Sequence, residues 1–248
     1  MNLTGKCCLI TGGTSGIGAA AAVELARRGA DIAINGRDAE RGRRVCEAIE
    51  AAGRRGWFVA GDIARPEACA RVVEQAAEAA GRLDVLIHSA GGPVPGSLVD
   101  VAPEAWYAAF DVHVHAIFHL ARAAVPWMKK QGGGAVVLIG SGAGLRGCLG
   151  AIAYGVVKGA LPHFARAMAR ELADDNIRVN SVSPGVIRTP FQDFLTPEQV
   201  ANNIRNRIPL HREGTPEDVA AAIALLVENE FITGEDLVID GGQTMRMV

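Results

Sequence analysis

The sequence has few aromatic residues, no surplus of charge of either sign and no long apolar run. Aromatics make up 5% of its 248 residues, so the core must be built from aliphatic side chains and alanine. Lys and Arg total 25 against 27 Asp and Glu, a formal net charge of -2. This balance excludes nucleic-acid binding through a cationic face, which needs positive charge to displace phosphate counterions. No apolar run reaches the ~18 residues of a spanning helix. The apolar stretch after Lys6 is too short for a secretory signal. No nucleic-acid partner and no membrane partner are expected. The cysteines (Cys7, Cys8, Cys46, Cys69, Cys148) are scattered and contain no Cys-x-x-Cys pair. They read as small buried hydrophobes in a reducing compartment, the cytoplasm, rather than as a disulfide frame or a metal site.

What is present is a regular alternation. Short apolar segments at 7–10, 31–34, 57–60, 85–87, 135–139, 178–182 and 237–239 alternate with amphipathic ones at 17–28, 39–52, 66–80, 103–130, 151–174 and 216–228. That rhythm predicts an α/β fold, a doubly wound sheet of about seven parallel strands with helices on both faces. Gly29, Gly53, Gly81 and Gly132 fall just past four of the helices, where a left-handed cap is wanted. With no repeat, linker or low-complexity tract, residues 1–248 read as a single doubly wound domain, one that the motifs below make dinucleotide-binding and catalytic. The exception to the rhythm is the connection at 186–214, rich in Pro and Phe, which is expected to be a lid over a site.

Thr11-Gly12-Gly13-Thr14-Ser15-Gly16-Ile17-Gly18 follows the first apolar strand and opens the first helix. A turn lacking Cβ atoms allows backbone to approach a pyrophosphate, and the following helix start offers free N–H groups to its charge. The second strand ends Asn35-Gly36-Arg37-Asp38. An acid at its tip would accept from a free ribose 2′-OH and favour NAD(H); Arg37 instead suits a 2′-phosphate and favours NADP(H), unless it is only a solvated loop charge. Asp38 is better placed as the N-cap of the next helix.

Tyr154 and Lys158 stand at i, i+4 spacing near the start of a helix, which puts phenol and ammonium on one face. A lysine alongside should pull down a phenol that otherwise titrates near ~10. Ser141 ends the fifth strand, where its hydroxyl can polarise a carbonyl. Together with the glycine loop, Asp62, Asn180, Pro184-Gly185, Thr189-Pro190 and the closing Asp240-Gly241-Gly242, these residues make the chain resemble the short-chain dehydrogenase/reductase family over nearly its whole length. The resemblance implies a Rossmann-type sheet and an oxidoreductase moving a hydride between a nicotinamide cofactor and a carbonyl or secondary alcohol. It implies that Tyr154 donates and accepts the proton, that Lys158 lowers its pKa and holds the nicotinamide ribose, and that Ser141 binds the substrate oxygen. It further implies cofactor contacts from Gly12, Thr14, Ser15, Gly16, Ile17 and Gly18 of the loop, from Asp62 and Ile63 at the adenine, and from Ala90, Gly91, Pro184 and Gly185. Ile187 and Thr189 would meet the carboxamide, and Asn180 would support local structure.

Two positions depart from the family pattern. His88-Ser89 replaces Asn-Asn before Ala90-Gly91, and is expected to keep tying neighbouring strands by hydrogen bonds. His113 replaces an Asn that helps carry a proton relay; the imidazole either carries that relay with added pH dependence or is a spectator to a backbone carbonyl. Asp111, His115 and His119 form an i, i+4, i+8 stripe that reads either as metal ligands or, more simply, as a polar face in the dimer or tetramer interface the family implies. Pro162 should free the Lys158 carbonyl or bend its helix. Substrate contacts are expected from loops above the strand ends, through Leu145, Arg146, Leu149, Phe191 and Phe194. The substrate is a small carbonyl or alcohol, with a 3-oxoacyl thioester as the first expectation. Polyol, sugar or xenobiotic-carbonyl oxidation with NAD(H), or a catalytically silent dinucleotide-binding scaffold, are the alternatives.

Overall fold

The computed structural model describes residues 1–193 and 195–245. Seven strands form one sheet in the order β3-β2-β1-β4-β5-β6-β7, and every adjacent pair is parallel. They are β1 (Cys7–Thr11), β2 (Asp31–Gly36), β3 (Gly56–Ala60), β4 (Val85–His88), β5 (Gly134–Ile139), β6 (Ile177–Pro184) and β7 (Asp236–Ile239). The chain steps outward from β1 to β3, then returns to place β4 on the other side of β1. This reversal opens a crevice at the carboxyl ends of β1 and β4, where an open α/β sheet binds its ligand.

The strands are apolar on both faces because both are covered. In β1, Cys7 and Leu9 enter one core and Cys8 and Ile10 the other. The first face carries α3 (Pro66–Ala80), α5 (Ala116–Lys130) and α7 (Ile152–Leu172); the second carries α1 (Gly16–Arg27), α2 (Ala39–Ala51) and α9 (Pro216–Glu228). Alanines do much of this packing: Ala21 and Ala22 of α1 and Ala220, Ala222 and Ala224 of α9 are buried in one cluster. Small side chains let α1 and α9 lie close together, which explains how so few aromatics suffice.

The expected helix at 103–130 has an interruption. It comprises α4 (Pro103–Phe110), a π turn at Asp111–His115, and α5. The wider turn shifts the helical phase, so His113 is turned inward at 2% exposure while Asp111 and His115 keep side chains 47% and 60% exposed. Pro162 does not end α7, which runs on through it with the ring buried. Gly29, Gly53, Gly81 and Gly132 all have positive φ, as their places after helices require.

Between β6 and α9 the connection includes a 3-10 turn at Pro190–Gln192, α8 (Pro197–Asn202) and a second π turn at Asn203–Arg207. Its two ends are fastened to each other. Arg188 N–H donates to the Gly214 carbonyl and Gly214 N–H to the Val186 carbonyl, both over 2.9 Å, and Arg188 pairs with Glu213 over 2.8 Å. Asn180 supports the neighbouring strand ends, donating to the Ile232 carbonyl over 2.9 Å and accepting from Glu235 N–H over 3.0 Å. Among the described residues, no helix is long and apolar enough to cross a membrane.

Candidate active site

The carboxyl ends of β1, β4, β5 and β6 bring the expected groups together. After β1, the glycine loop is folded so tightly that side chains are excluded from it. A Cβ on Gly12 would lie 2.7 Å from the Ala90 backbone, and one on Gly13 2.7 Å from Ile34. A Cβ on Gly18 would overlap the Gly12 carbonyl. Ser15 precedes α1 in an extended conformation without a side-chain cap, and the first turn carries no acid. By contrast Asp38, Thr196 and Thr215 cap their helices with side-chain oxygens. The first-turn N–H groups of α1, over Ile17, are thus left for an outside anion. Loop and helix start fit the diphosphate of a dinucleotide, the glycines giving close approach and the amides the donors.

At the tip of β2, a Cβ on Gly36 would come 2.6 Å from Thr14, so the strand end is pressed onto the glycine loop. Arg37 is exposed, and no ion pair involving it occurs among the described residues. Asp38 is occupied as expected: it accepts from Arg41 N–H over 3.0 Å and pairs with the Arg41 guanidinium over 3.2 Å. After β3, Asp62 is exposed and accepts from Ala64 N–H over 3.2 Å, while Ile63 is buried. Ala60, Gly61, Asp62, Arg65 and Val72 line a cavity of about 240 Å³ there. After β6, Gly185 donates to Ile239 over 2.9 Å. The same segment leads from Pro184 through buried Ile187 to Thr189, whose methyl would lie 3.3 Å from a Cβ on Gly16. Residues expected at the two ends of one dinucleotide therefore border a common cleft.

The reacting groups stand beside it. Ser141 follows β5 as the N-cap of the short helix α6 (Gly142–Leu145), its hydroxyl accepting from Ala143 N–H over 3.2 Å. It also forms a hydrogen bond with Tyr154 that holds the phenol pKa down. Burial is the larger influence, and the phenol lies above its ordinary value. Lys158 Nζ is 5.8 Å from the Tyr154 ring centre and donates over 2.6 Å to the Ile139 carbonyl. It is buried, and desolvation with no carboxylate partner lowers its pKa to about 7.

The Tyr154 ring is held between two others. His113 meets it edge-on, with centroids 5.9 Å apart at 86°, and Phe191 lies 5.8 Å away at 43°. His88 is buried and its Nδ1 is 3.0 Å from the Thr11 hydroxyl, the inter-strand tie expected of it. Burial, with Lys158 nearby, depresses its pKa to about 3. His113 is pushed to about 2 by burial, then by Lys158 and His88. Both imidazoles are neutral at ordinary pH, so His113 brings no ionisation of its own to this range.

The expected substrate contacts divide. Phe191 reaches Tyr154. Leu145 is 36% exposed, whereas Leu149 is fully exposed. Arg146 is exposed and its Nε donates to the Thr244 carbonyl over 3.0 Å, tying the α6 end to the closing segment. Phe194 lies outside the described residues. The reading of all five cysteines as buried is corrected at Cys46, which is half-buried, and at Cys148, which is exposed in the loop beside α7. The glycine-rich run around Cys148 was the available sign of exposure. His115 Nδ1 is 2.9 Å from Asp111, while His119 stacks edge-on against Phe118 at 5.1 Å. Among the described residues, no three His, Cys, Asp or Glu side chains are grouped to hold a metal.

A doubly wound parallel sheet with a phosphate-binding turn at its switch point, and a Ser, Tyr and Lys at the neighbouring strand end, defines a nicotinamide-dependent oxidoreductase of CH–OH and C=O groups. The family model described as enoyl-(acyl carrier protein) reductase matches residues 12–244. The chain belongs to the short-chain dehydrogenase/reductase family. It is 37% identical to a 3-oxoacyl-(acyl-carrier-protein) reductase of Thermotoga maritima, over 98% of this chain and 99% of that one. Among solved structures it resembles a putative short-chain alcohol dehydrogenase of Sinorhizobium meliloti, with TM-score 0.95, 34% identity and coverage of 99% of both chains. It also resembles the L-sorbose reductase of Gluconobacter frateurii complexed with NADPH and L-sorbose, with TM-score 0.93, 31% identity and complete coverage (100%) of both.

Proposed function

We propose that the chain is an NADP(H)-preferring carbonyl reductase, a single catalytic domain working in the cytoplasm as a dimer or tetramer, with residues 186–214 as its substrate lid. The observation that carries this reading is the convergence of Ser141, Tyr154 and Lys158 on the cleft that the glycine loop and Thr189 border. When bound, the nicotinamide supplies the hydride. The glycine loop and the α1 amides would hold the diphosphate, Arg37 the 2′-phosphate, and Ile187 and Thr189 the carboxamide. Ser141 orients the substrate oxygen and Tyr154 gives it the proton from its phenol oxygen. Lys158, with a pKa of about 7, can lose and regain a proton under working conditions.

A 3-oxoacyl thioester is the substrate class put forward first, on the likeness to the Thermotoga maritima reductase. A ketose is the second reading, on the likeness to the sorbose reductase. Exposed Phe118, with Arg122 stacked on its ring at 6.0 Å, supports assembly through α5. The deciding experiment scores 3-oxoacyl thioesters, ketoses and simple ketones separately with NADPH and NADH, for the wild type, Tyr154→Phe and Arg37→Ala. Turnover that needs Tyr154, and an NADPH preference that Arg37→Ala erodes, are the expected results. Unchanged turnover in Tyr154→Phe would sink the reductase assignment, and an NADH preference untouched by Arg37→Ala would sink the cofactor assignment.

A further inference from the structure

The loop that follows β4 is fastened at both ends to the elements carrying the reacting groups. At its far end, Gly96 N–H donates to the Gly150 carbonyl over 2.8 Å and Ile152 N–H to the Gly96 carbonyl over 3.2 Å, joining the loop to the start of α7. Val94 and Val101 pack with Ala153 and Val157 of that helix. At the near end the fastener is His113. Its Nε2 lies 3.2 Å from the Gly92 carbonyl oxygen and 3.4 Å from Gly92 N. Its ring fills the space a Gly91 side chain would take, a Cβ there overlapping the imidazole Cε1. Gly91 has φ +152, a conformation few side chains tolerate, and it is exposed on its other side.

Since the ring is neutral it carries one proton, and the closer Gly92 carbonyl assigns that proton to Nε2. Nδ1 is left buried without a partner, so the contact with the turn is the hydrogen bond the imidazole makes. Two successive glycines are otherwise the most freely rotating pair a chain can have. Here they are held between a wedge and a hydrogen bond, with the wedge also seated edge-on to Tyr154.

We propose that His113 is a positioning residue, whose imidazole locks the Gly91–Gly92 turn into one conformation beside Tyr154 and so presets the wall against which the nicotinamide half of the cofactor is received. The proposal rests on the reading of the cleft as a nicotinamide site and adds to it a role for a side chain that does not titrate. Ordering this turn in advance spares the ligand the cost of ordering it on binding.

The test is a fluorescence titration of NADPH and of NADH into wild type, His113→Ala, His113→Leu and His113→Asn, with melting curves and a pH profile of kcat for each. Leu keeps most of the ring's volume and removes the hydrogen bond, and Asn restores a donor. About tenfold weaker binding is expected in the Ala and Leu variants, with partial recovery in Asn and a kcat profile of unchanged shape. If His113→Ala does not fold, the Leu variant decides. Binding within about twofold of wild type in a folded Ala or Leu variant would overturn the proposal. So would the loss, in His113→Asn, of an ionisation present in the wild-type profile, which would make the imidazole a relay. Tyr154→Phe separates the two levels: it should bind cofactor normally and fail to turn over. If it does turn over, the catalytic assignment falls while the titrations still judge His113.

Discussion

Lys158 donates its hydrogen bond across 2.6 Å to the carbonyl of Ile139, the last residue of β5 and two positions before Ser141. Helix α7 is thereby tied to the strand whose end carries the Ser141 hydroxyl, and the lysine is kept in a place where its charge is poorly solvated.

That burial gives a signed prediction. The folded pKa of about 7 lies below the ~10.4 of an unfolded lysine. Between those values the unfolded state binds more protons, so stability rises with pH through this window. The cost of burying the ammonium is full below pH ~7 and fades toward ~10. Lys158→Met should therefore melt at least about 4 °C above wild type at pH ~6, with the gap shrinking by pH ~9. Thermal melts of both proteins at the two pH values check this; a gap that does not vary with pH would count against it.

Removal of the Ser141 hydroxyl acts on two things. Tyr154 loses the hydrogen bond that holds its pKa down, and α6 loses its N-cap. In Ser141→Ala, kcat should fall by about 100-fold, and the rising limb of alcohol oxidation should move to higher pH because the phenolate is harder to form. The cap should account for a stability loss of only about 1 kcal/mol. A pH–rate profile in the oxidative direction, beside a urea melt, separates the effects.

Arg178 is a buried cation serving a helix end. Its guanidinium donates to the Leu226 carbonyl over 2.6 Å and the Val227 carbonyl over 2.5 Å, in the last turn of α9. There it completes carbonyls the helix cannot satisfy and lies at the negative end of the helix dipole. Arg178→Met should cost about 2–3 kcal/mol in a denaturant titration and should leave cofactor affinity within about twofold. Equal stability would mean that relief from burying the charge offsets the lost hydrogen bonds.

The sheet was readable because its strands, buried on both faces, stand out as apolar runs between punctuating glycines. The expected segments at 7–10 and 178–182 became Cys7–Thr11 and Ile177–Pro184. Ser141, Tyr154, Lys158 and the glycine loop were readable because their chemistry depends on residue type and spacing. Three features were not. The π turn at Asp111–His115 is a change in helical phase that no residue type marks, and it decides that His113, rather than its neighbours, faces the site. The elevated phenol pKa depends on how fully Tyr154 is desolvated, a property of the surrounding fold. The Arg178 cap joins residues distant in sequence, and read locally Arg178 is only a polar residue at the start of a strand.

The paired ends of the β6–α9 connection have an evolutionary consequence. Since Val186, Arg188 and Gly214 hydrogen-bond to one another, the intervening stretch starts and ends at one paired point. Between those ends it is held to the body again, since Leu210 N–H donates to the Gly241 carbonyl over 3.1 Å and Arg212 pairs with Asp218 of α9 over 2.8 Å. Divergence in length is therefore confined to the segments between these fastenings, and the paired base keeps the start of α9 in register.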